Sequence, residues 1–201
     1  MTPARYSPAA DRNKQAILEV LRSVLPAAGH ALEIASGTGQ HIAWFAQHLP
    51  QWQWQPTDAG SDGFADIAAY TAGLSNVQAP CLLDVLKAPW LGDASTRFDA
   101  IYCANMIHIS PWSTTTALMQ GAVRQIAPQG VLITYGPYLE RDVATADGNL
   151  NFDASLRSQN PEWGIRHLEA VEQEAVQAGL KLVQRRAMPA NNLLLVWAIH
   201  A

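Results

Sequence analysis

The chain reads as an α/β protein built on a doubly wound, seven-stranded sheet, mostly parallel with an antiparallel last strand. Three observations predict this. Apolar strand-like runs alternate with stretches of helical periodicity along most of the sequence. The run Gly130-Val131-Leu132-Ile133-Thr134-Tyr135 is continuously apolar, as an interior parallel strand buried on both faces should be. The last two runs are separated only by Pro189-Ala190-Asn191-Asn192, a turn short enough to demand a hairpin.

The elements follow in order. Ile17, Leu18, Leu21, Val24 and Leu25 share one helical face after Asp11, a candidate N-cap, and the pattern stops at Pro26. A strand over 31–35 leads into Ser36-Gly37-Thr38-Gly39 and a helix marked by Ile42, Phe45, Ala46 and Leu49 and ended by Pro50. Trp52 and Trp54 open an alternating strand that ends at Asp58. A helix over 62–74 precedes a strand over 77–83, which again ends on an acid, Asp84. The strand over 98–104 runs into Asn105-Met106-Ile107-His108, and Ser110-Pro111 supplies an N-cap and a first-turn proline for a helix over 112–126. After the 130–135 strand the rhythm breaks: 136–164 is polar, punctuated by Gly, Asn, Asp and Pro, and too long for an ordinary connection. Leu168, Val171, Ala175 and Val176 mark a helix closed by Gly179, and strands over 180–188 and 193–199 complete a Rossmann-like order. We expect a single domain over 1–201, with an N-terminal cap at 1–26 and a substrate-lid insertion at 136–164.

Composition narrows the function classes. Hydrophobic residues make up 49% and charged residues 15% of 201 positions, with seven tryptophans, which sets aside disordered and coiled-coil readings. A net charge of −4 with 13 Lys+Arg leaves no basic footprint for nucleic acid. The N-terminal Met1-Thr2-Pro3-Ala4-Arg5-Tyr6 has no apolar signal-peptide core, and no apolar run approaches the roughly 20 residues of a membrane span. A cytoplasmic protein is expected. Cys81 and Cys103 lie in apolar runs and are expected to be reduced and structural, and the spacing of Cys and His residues suggests no metal.

The stretch Leu32-Glu33-Ile34-Ala35-Ser36-Gly37-Thr38-Gly39-Gln40-His41 carries the chemistry. Glycines in the turn between strand and helix let the backbone approach a ligand closely. The third glycine of the dinucleotide fingerprint would fall at position 42, which is Ile42. Instead, acidic residues end three successive strands: Glu33, Asp58 and Asp84. Ligands of open α/β sheets bind outside the carboxyl ends of the strands, so all three converge on one crevice. The pattern resembles the cofactor loop of class I S-adenosylmethionine (SAM) dependent methyltransferases. That resemblance implies a loop at Glu33, Gly37 and Gly39 around the amino-acid end of SAM, Asp58 on the ribose hydroxyls and Asp84 on the adenine.

Four segments narrow the resemblance: Tyr6-Ser7-Pro8-Ala9-Ala10-Asp11-Arg12-Asn13, Glu33 to His41, Trp54-Gln55-Pro56-Thr57-Asp58, and Asn160-Pro161-Glu162-Trp163-Gly164-Ile165-Arg166. Together they are similar to the methyltransferase-like 26 family. The resemblance implies that the N-terminal block folds over the cofactor, with Arg12 and Asn13 toward its carboxylate. The other role for Arg12 is that of a solvated first-turn residue.

Methyl transfer is an in-line displacement that needs orientation, exclusion of water and a deprotonated nucleophile, so few catalytic residues are expected. His108, just past the fourth strand, is the candidate general base; its alternative role is a loop histidine bonded to backbone. Asn105 is a candidate for orienting the methionine amine or the substrate, and Tyr135 and Tyr138 flank the expected acceptor position. Arg157 and Arg166, in the segment from Asn149 through Arg166, would suit an anionic group on a small-molecule methyl acceptor, although a shielding lid would have the same composition. The expected reaction converts SAM to S-adenosylhomocysteine. A non-catalytic SAM-binding module and an NAD-dependent oxidoreductase are the alternatives.

Overall fold

In the computed structural model, which describes residues 3–92 and 95–200, helix α1 (Pro8–Val24) begins where Pro8 presets the helical φ. The N-cap is Ser7, whose hydroxyl accepts from the Ala10 N–H at 3.2 Å. Asp11, expected to be the cap, instead lies in the first turn and pairs with Lys14. A proline at the first helical position costs no hydrogen bond, so the helix can start one turn earlier than its apolar face suggests.

The chain continues as β1 (Gly29–Ile34), α2 (Gln40–His48), β2 (Trp52–Asp58), α3 (Phe64–Tyr70), β3 (Cys81–Leu82), β4 (Phe98–Ala104), α4 (Trp112–Gln125) and β5 (Ile126–Leu139). It ends with α5 (Asp147–Gln159), β6 (Arg166–His167), α6 (Leu168–Ala178), β7 (Leu180–Met188) and β8 (Asn192–Ile199). The main sheet has the order β3-β2-β1-β4-β5-β8-β7. Its first five strands are parallel, and β8 alone runs antiparallel to its neighbours β5 and β7. The seven-stranded doubly wound sheet is therefore present, and the two-residue β6 adds a short parallel pairing at the tip of β5.

Each face of the sheet has its own core. Leu32, Ile34, Leu118, Met119, Val171 and Trp197 pack on the α4–α6 side. Ile17, Leu18, Phe45, Trp52, Trp54 and Tyr102 pack on the α1–α2 side. Helices thus cover both faces, and the order reverses between β1 and β4, which opens a crevice at their carboxyl ends. Among the described residues, no helix is long and apolar enough to cross a membrane.

Three further expectations change. The strand predicted over 77–83 is reduced to Cys81–Leu82 and a bridge from Trp54 to Val77, because Pro80 lacks the N–H a ladder needs. Ser110 is not the cap of α4: Pro111 occupies that position, and the Ser110 hydroxyl bonds Met106 O and Thr114 Oγ1. The segment over 136–164 is not a loop throughout. β5 continues through Gly136, Pro137 and Tyr138 to Leu139, and α5 occupies the middle of the remainder.

Candidate functional site

β1 and β4 leave the sheet side by side and turn through strained backbone. Ala35 (φ 56°) and Asn105 (φ 60°) both adopt the left-handed conformation that non-glycine residues seldom take. A cavity of about 360 Å³ opens between these turns, walled by Ala35, Gly37, Asp58, Asp84, Met106 and Ile109 among others. A groove of about 560 Å³ runs on past Asp84 toward Lys87 and Trp90, sharing Ala59, Leu83 and Asp84 with the first.

The glycine turn is shaped by its surroundings. Gly39 starts α2 at φ 81°, and a Cβ there would lie 2.7 Å from the Ile67 Cα. Asp58 Oδ2 accepts from the Gly37 N–H at 3.0 Å, and Asp58 Oδ1 from the Ala59 N–H at 2.8 Å. The tip of β2 thereby holds the turn after β1. Asp84 Oδ1 accepts from the Leu86 N–H at 3.0 Å, and Asp84 Oδ2 lies 3.4 Å from Lys87 Nζ. Ile42 is fully buried, so the position of the missing third glycine is packed core.

Glu33, one residue before the cavity-lining Ile34, is an acid with an unsatisfied oxygen. Its side chain is 2% exposed, and Oε2 has no hydrogen-bond partner. Burial raises its pKa to about 8, against a hydrogen bond from Ser36 that favours the ionised form, and the charge of Asp58 raises it further. Beside it, Asn13 Oδ1 lies 2.7 Å from His41 Nε2, and His41 Nδ1 is 3.4 Å from the Tyr102 hydroxyl. Asn13 also hydrogen-bonds Tyr135, whose hydroxyl accepts from Asn192 Nδ2 at 3.0 Å. This partly buried network joins α1, α2, β4, β5 and β8. Burial lowers the His41 pKa to about 4 and holds the ring neutral.

The N-terminal segment is anchored across the helix starts that flank the glycine turn. Arg5 pairs with Asp66 and donates to Asp62 O, while Ser7 and Gln40 exchange two hydrogen bonds. Arg12 points outward from α1 and is exposed.

The other predicted residues meet a different environment. His108 is fully buried; its Nδ1 accepts from the Arg166 N–H at 3.4 Å, its carbonyl accepts from the Gly164 N–H at 2.9 Å, and Nε2 has no partner. Desolvation, reinforced by the Arg166 charge, lowers its pKa to about 3. A group that weakly basic holds almost no proton at neutral pH. Tyr138 packs edge-on to the His108 ring at 5.1 Å and donates to Thr134 Oγ1 at 3.0 Å. Its hydroxyl lies inside the core, where burial raises its pKa.

Arg157 and Arg166 are also engaged internally. Arg157 Nε pairs with Asp153 at 2.8 Å. Arg166 donates to Ile107 O, Ser110 O and Glu162 O and lies 5.5 Å above the Trp112 ring.

Of the predicted residues, Gly37, Asp58 and Asp84 line the cavity, Glu33, Gly39 and Asn105 stand within two residues of its wall along the chain, Asn13 belongs to the network around His41, and Arg12, His108 and Tyr138 do not line it. Sequence reasoning missed Ala35, Met106, Ile109 and Thr114 on that wall. Ala35 could have been found as the first residue beyond a strand end. Thr114 carries no such signal, because α4 brings it to the cavity from farther along the chain. Among the described residues, no three His, Cys, Asp or Glu side chains gather into a metal site. Cys81 and Cys103 are free thiols, and burial pushes Cys103 up to about 12.

The sheet order is that of the Rossmann-like methyltransferase fold. The chain belongs to the family described as a protein of unknown function, DUF938, whose model matches residues 4–199. Solved structures share the fold at low identity. An O-methyltransferase family protein from Burkholderia thailandensis matches with TM-score 0.75 and 18% identity over 96% of this chain and 58% of its own. Human N-acetylserotonin methyltransferase, solved with SAM, matches with TM-score 0.73 and 16% identity over 94% and 55%. The mitomycin 7-O-methyltransferase MmcR matches with TM-score 0.80 and 12% identity over 95% and 54%. This chain spans between half and two thirds of the length of these proteins.

Proposed function

We propose that this protein is a SAM-dependent methyltransferase acting on a small-molecule acceptor. The observation that carries the proposal is the switch-point cavity, with Gly37 of the glycine turn and the carboxylates of Asp58 and Asp84 on its wall; the unpartnered Glu33 Oε2 lies in the strand that leads into it. These groups fit the chemistry of SAM part by part. Asp58 is an acceptor for ribose hydroxyls, Asp84 for an adenine amino group, and the Glu33 carboxylate for the ammonium of the amino-acid end. Asn105, at the strained end of β4, and Asn13 from α1 complete the amino-acid end, and the anchored N-terminal segment covers it. When bound, SAM supplies an electrophilic methyl group; the chain binds, orients and excludes water.

The resemblance to the methyltransferase-like 26 family belongs to this proposal, as does a one-domain organisation with an N-terminal cap. An oxidoreductase reading is disfavoured by the packed Ile42 at the third glycine position.

The state of His108 bears on catalysis. A buried imidazole with a pKa near 3 is suited to holding the Arg166 segment rather than to removing an acceptor proton. We therefore assign it a positioning role and expect an acceptor whose nucleophilic atom ionises readily without a strong base. The same observation favours a second reading, a SAM-binding protein with no transfer activity. Mass-spectrometric screening of small phenols, thiols and carboxylates with SAM separates the two. A SAM-dependent gain of one methyl group supports transfer. Tight SAM binding with no product from any class supports the second reading.

A further inference from the structure

We propose that cofactor entry is coupled to the loss of a proton from Glu33, so that a buried neutral carboxyl is exchanged for a carboxylate paired with the ligand's ammonium group. The inference rests on the methyltransferase reading of the cavity and adds a regulatory property to it.

The geometry is that of an acid without a cation. Glu33 is the penultimate residue of β1, directly before Ile34 and Ala35 on the cavity wall, and is flanked in register by Pro56 of β2 and Tyr102 of β4. The Ser36 hydroxyl accepts from the Thr57 N–H at 3.2 Å and hydrogen-bonds the Glu33 carboxyl. The second carboxyl oxygen is sealed from solvent and unpartnered. The titratable groups that face it are Asp58 from the end of β2, and Tyr102 and Cys103 from β4. None of them is a cation. The bases nearest this region point elsewhere: Arg5 is paired with Asp66, Lys14 with Asp11 over the Trp44 ring, and His41 is neutral beside Asn13. An ionised carboxylate here would be buried next to a like charge, so the free protein keeps the proton, in line with a pKa near 8. A ligand ammonium arriving at Oε2 supplies the missing positive charge and donors. The carboxyl then ionises, its proton leaves to solvent, and an N–H to carboxylate hydrogen bond forms.

The test is isothermal titration calorimetry of the full chain with SAM, with S-adenosylhomocysteine and with 5′-methylthioadenosine, in two buffers of different ionisation enthalpy. We expect release of close to one proton at pH 7 for the two ligands that carry the amino-acid end, and none for 5′-methylthioadenosine, which lacks it. Between pH 6 and pH 7 the affinity for the first two should rise about tenfold, with no such slope for the third. Glu33→Gln, nearly isosteric, should abolish both proton release and slope; the wild-type comparison among ligands tests the idea even if that variant folds poorly. Binding of SAM without proton release overturns the coupling and leaves the methyltransferase reading intact. Failure of SAM and S-adenosylhomocysteine to bind at any pH overturns both.

Discussion

The two ends of the site differ in where their polar groups point. At the carboxyl ends of β1, β2 and the short β3, Gly37, Asp58 and Asp84 face a cavity, and the buried Glu33 beside them has an oxygen to spare. At the end of β5 the polar groups face one another. His108 takes the Arg166 N–H on Nδ1 and the Gly164 N–H on its carbonyl while Nε2 has no partner, Asp153 takes Arg157 and the Ile165 N–H, and Tyr138 lies beneath them in the core. On the proposed reading the first region receives the ligand, and the second holds the insertion against the sheet. The cavity-facing Gly37 and the Gly136 beneath His108 differ likewise. A Cβ at Gly37 would meet nothing within 4 Å, whereas one at Gly136 would lie 2.6 Å from His108 Nε2.

The largest expected way to separate the regions is acid and alkaline stability, of the order of several kcal/mol across each leg. His108 and His41 have folded pKa values near 3 and 4, below the ordinary 6.5, so their contribution is present above pH 6.5 and lost as pH falls toward those values. Glu33, raised from 4.5 to about 8, contributes in the opposite sense: its stabilisation is present below pH 4.5 and lost as pH rises through 8. Urea unfolding across this range should show His108→Gln flattening the acid leg and Glu33→Gln the alkaline one. Unaltered profiles in both variants would dissolve the electrostatic contrast.

Next in size is Asp58→Ala, which should weaken SAM binding roughly 10- to 100-fold, the value of one hydrogen-bonding carboxylate. Calorimetry showing equal affinities would remove Asp58 from the site. Gly136→Ala should then cost about 2 kcal/mol of stability through its contact with His108, compared with about 1 kcal/mol for Gly37→Ala, where only the positive φ resists. Equal costs by denaturant melting would mean that the β5 end is looser than its contacts imply. The smallest effect is expected for Asp153→Asn, which weakens the ion pair to Arg157 while keeping a carbonyl for the Ile165 N–H. It should speed amide exchange in α5 and leave SAM affinity unchanged.

The same contrast explains what the sequence made legible. Strand ends announce themselves: an apolar run that stops at an acid or a glycine marks both the element and the residue placed at the sheet edge, which is why Glu33, Asp58 and Asp84 were found together. The β5 end offers no such break. Gly136-Pro137 reads as a turn, yet Pro137 pairs opposite Asn192 within the sheet, so the strand carries Tyr138 onward into the core. α5 escaped notice because only Leu156 is buried, which leaves no apolar period to detect. The inward turn of His108 depends on backbone groups of Gly164 and Arg166, contacts made far along the chain and encoded by no local pattern.

The central claim is that the cavity between the ends of β1 and β4 holds an adenosyl cofactor. A crystal structure grown with S-adenosylhomocysteine tests it most directly. The account predicts the ribose hydroxyls against Asp58, the adenine toward Asp84 and the ammonium toward Glu33. A nucleoside seated elsewhere, or an empty cavity at saturating ligand, would contradict it.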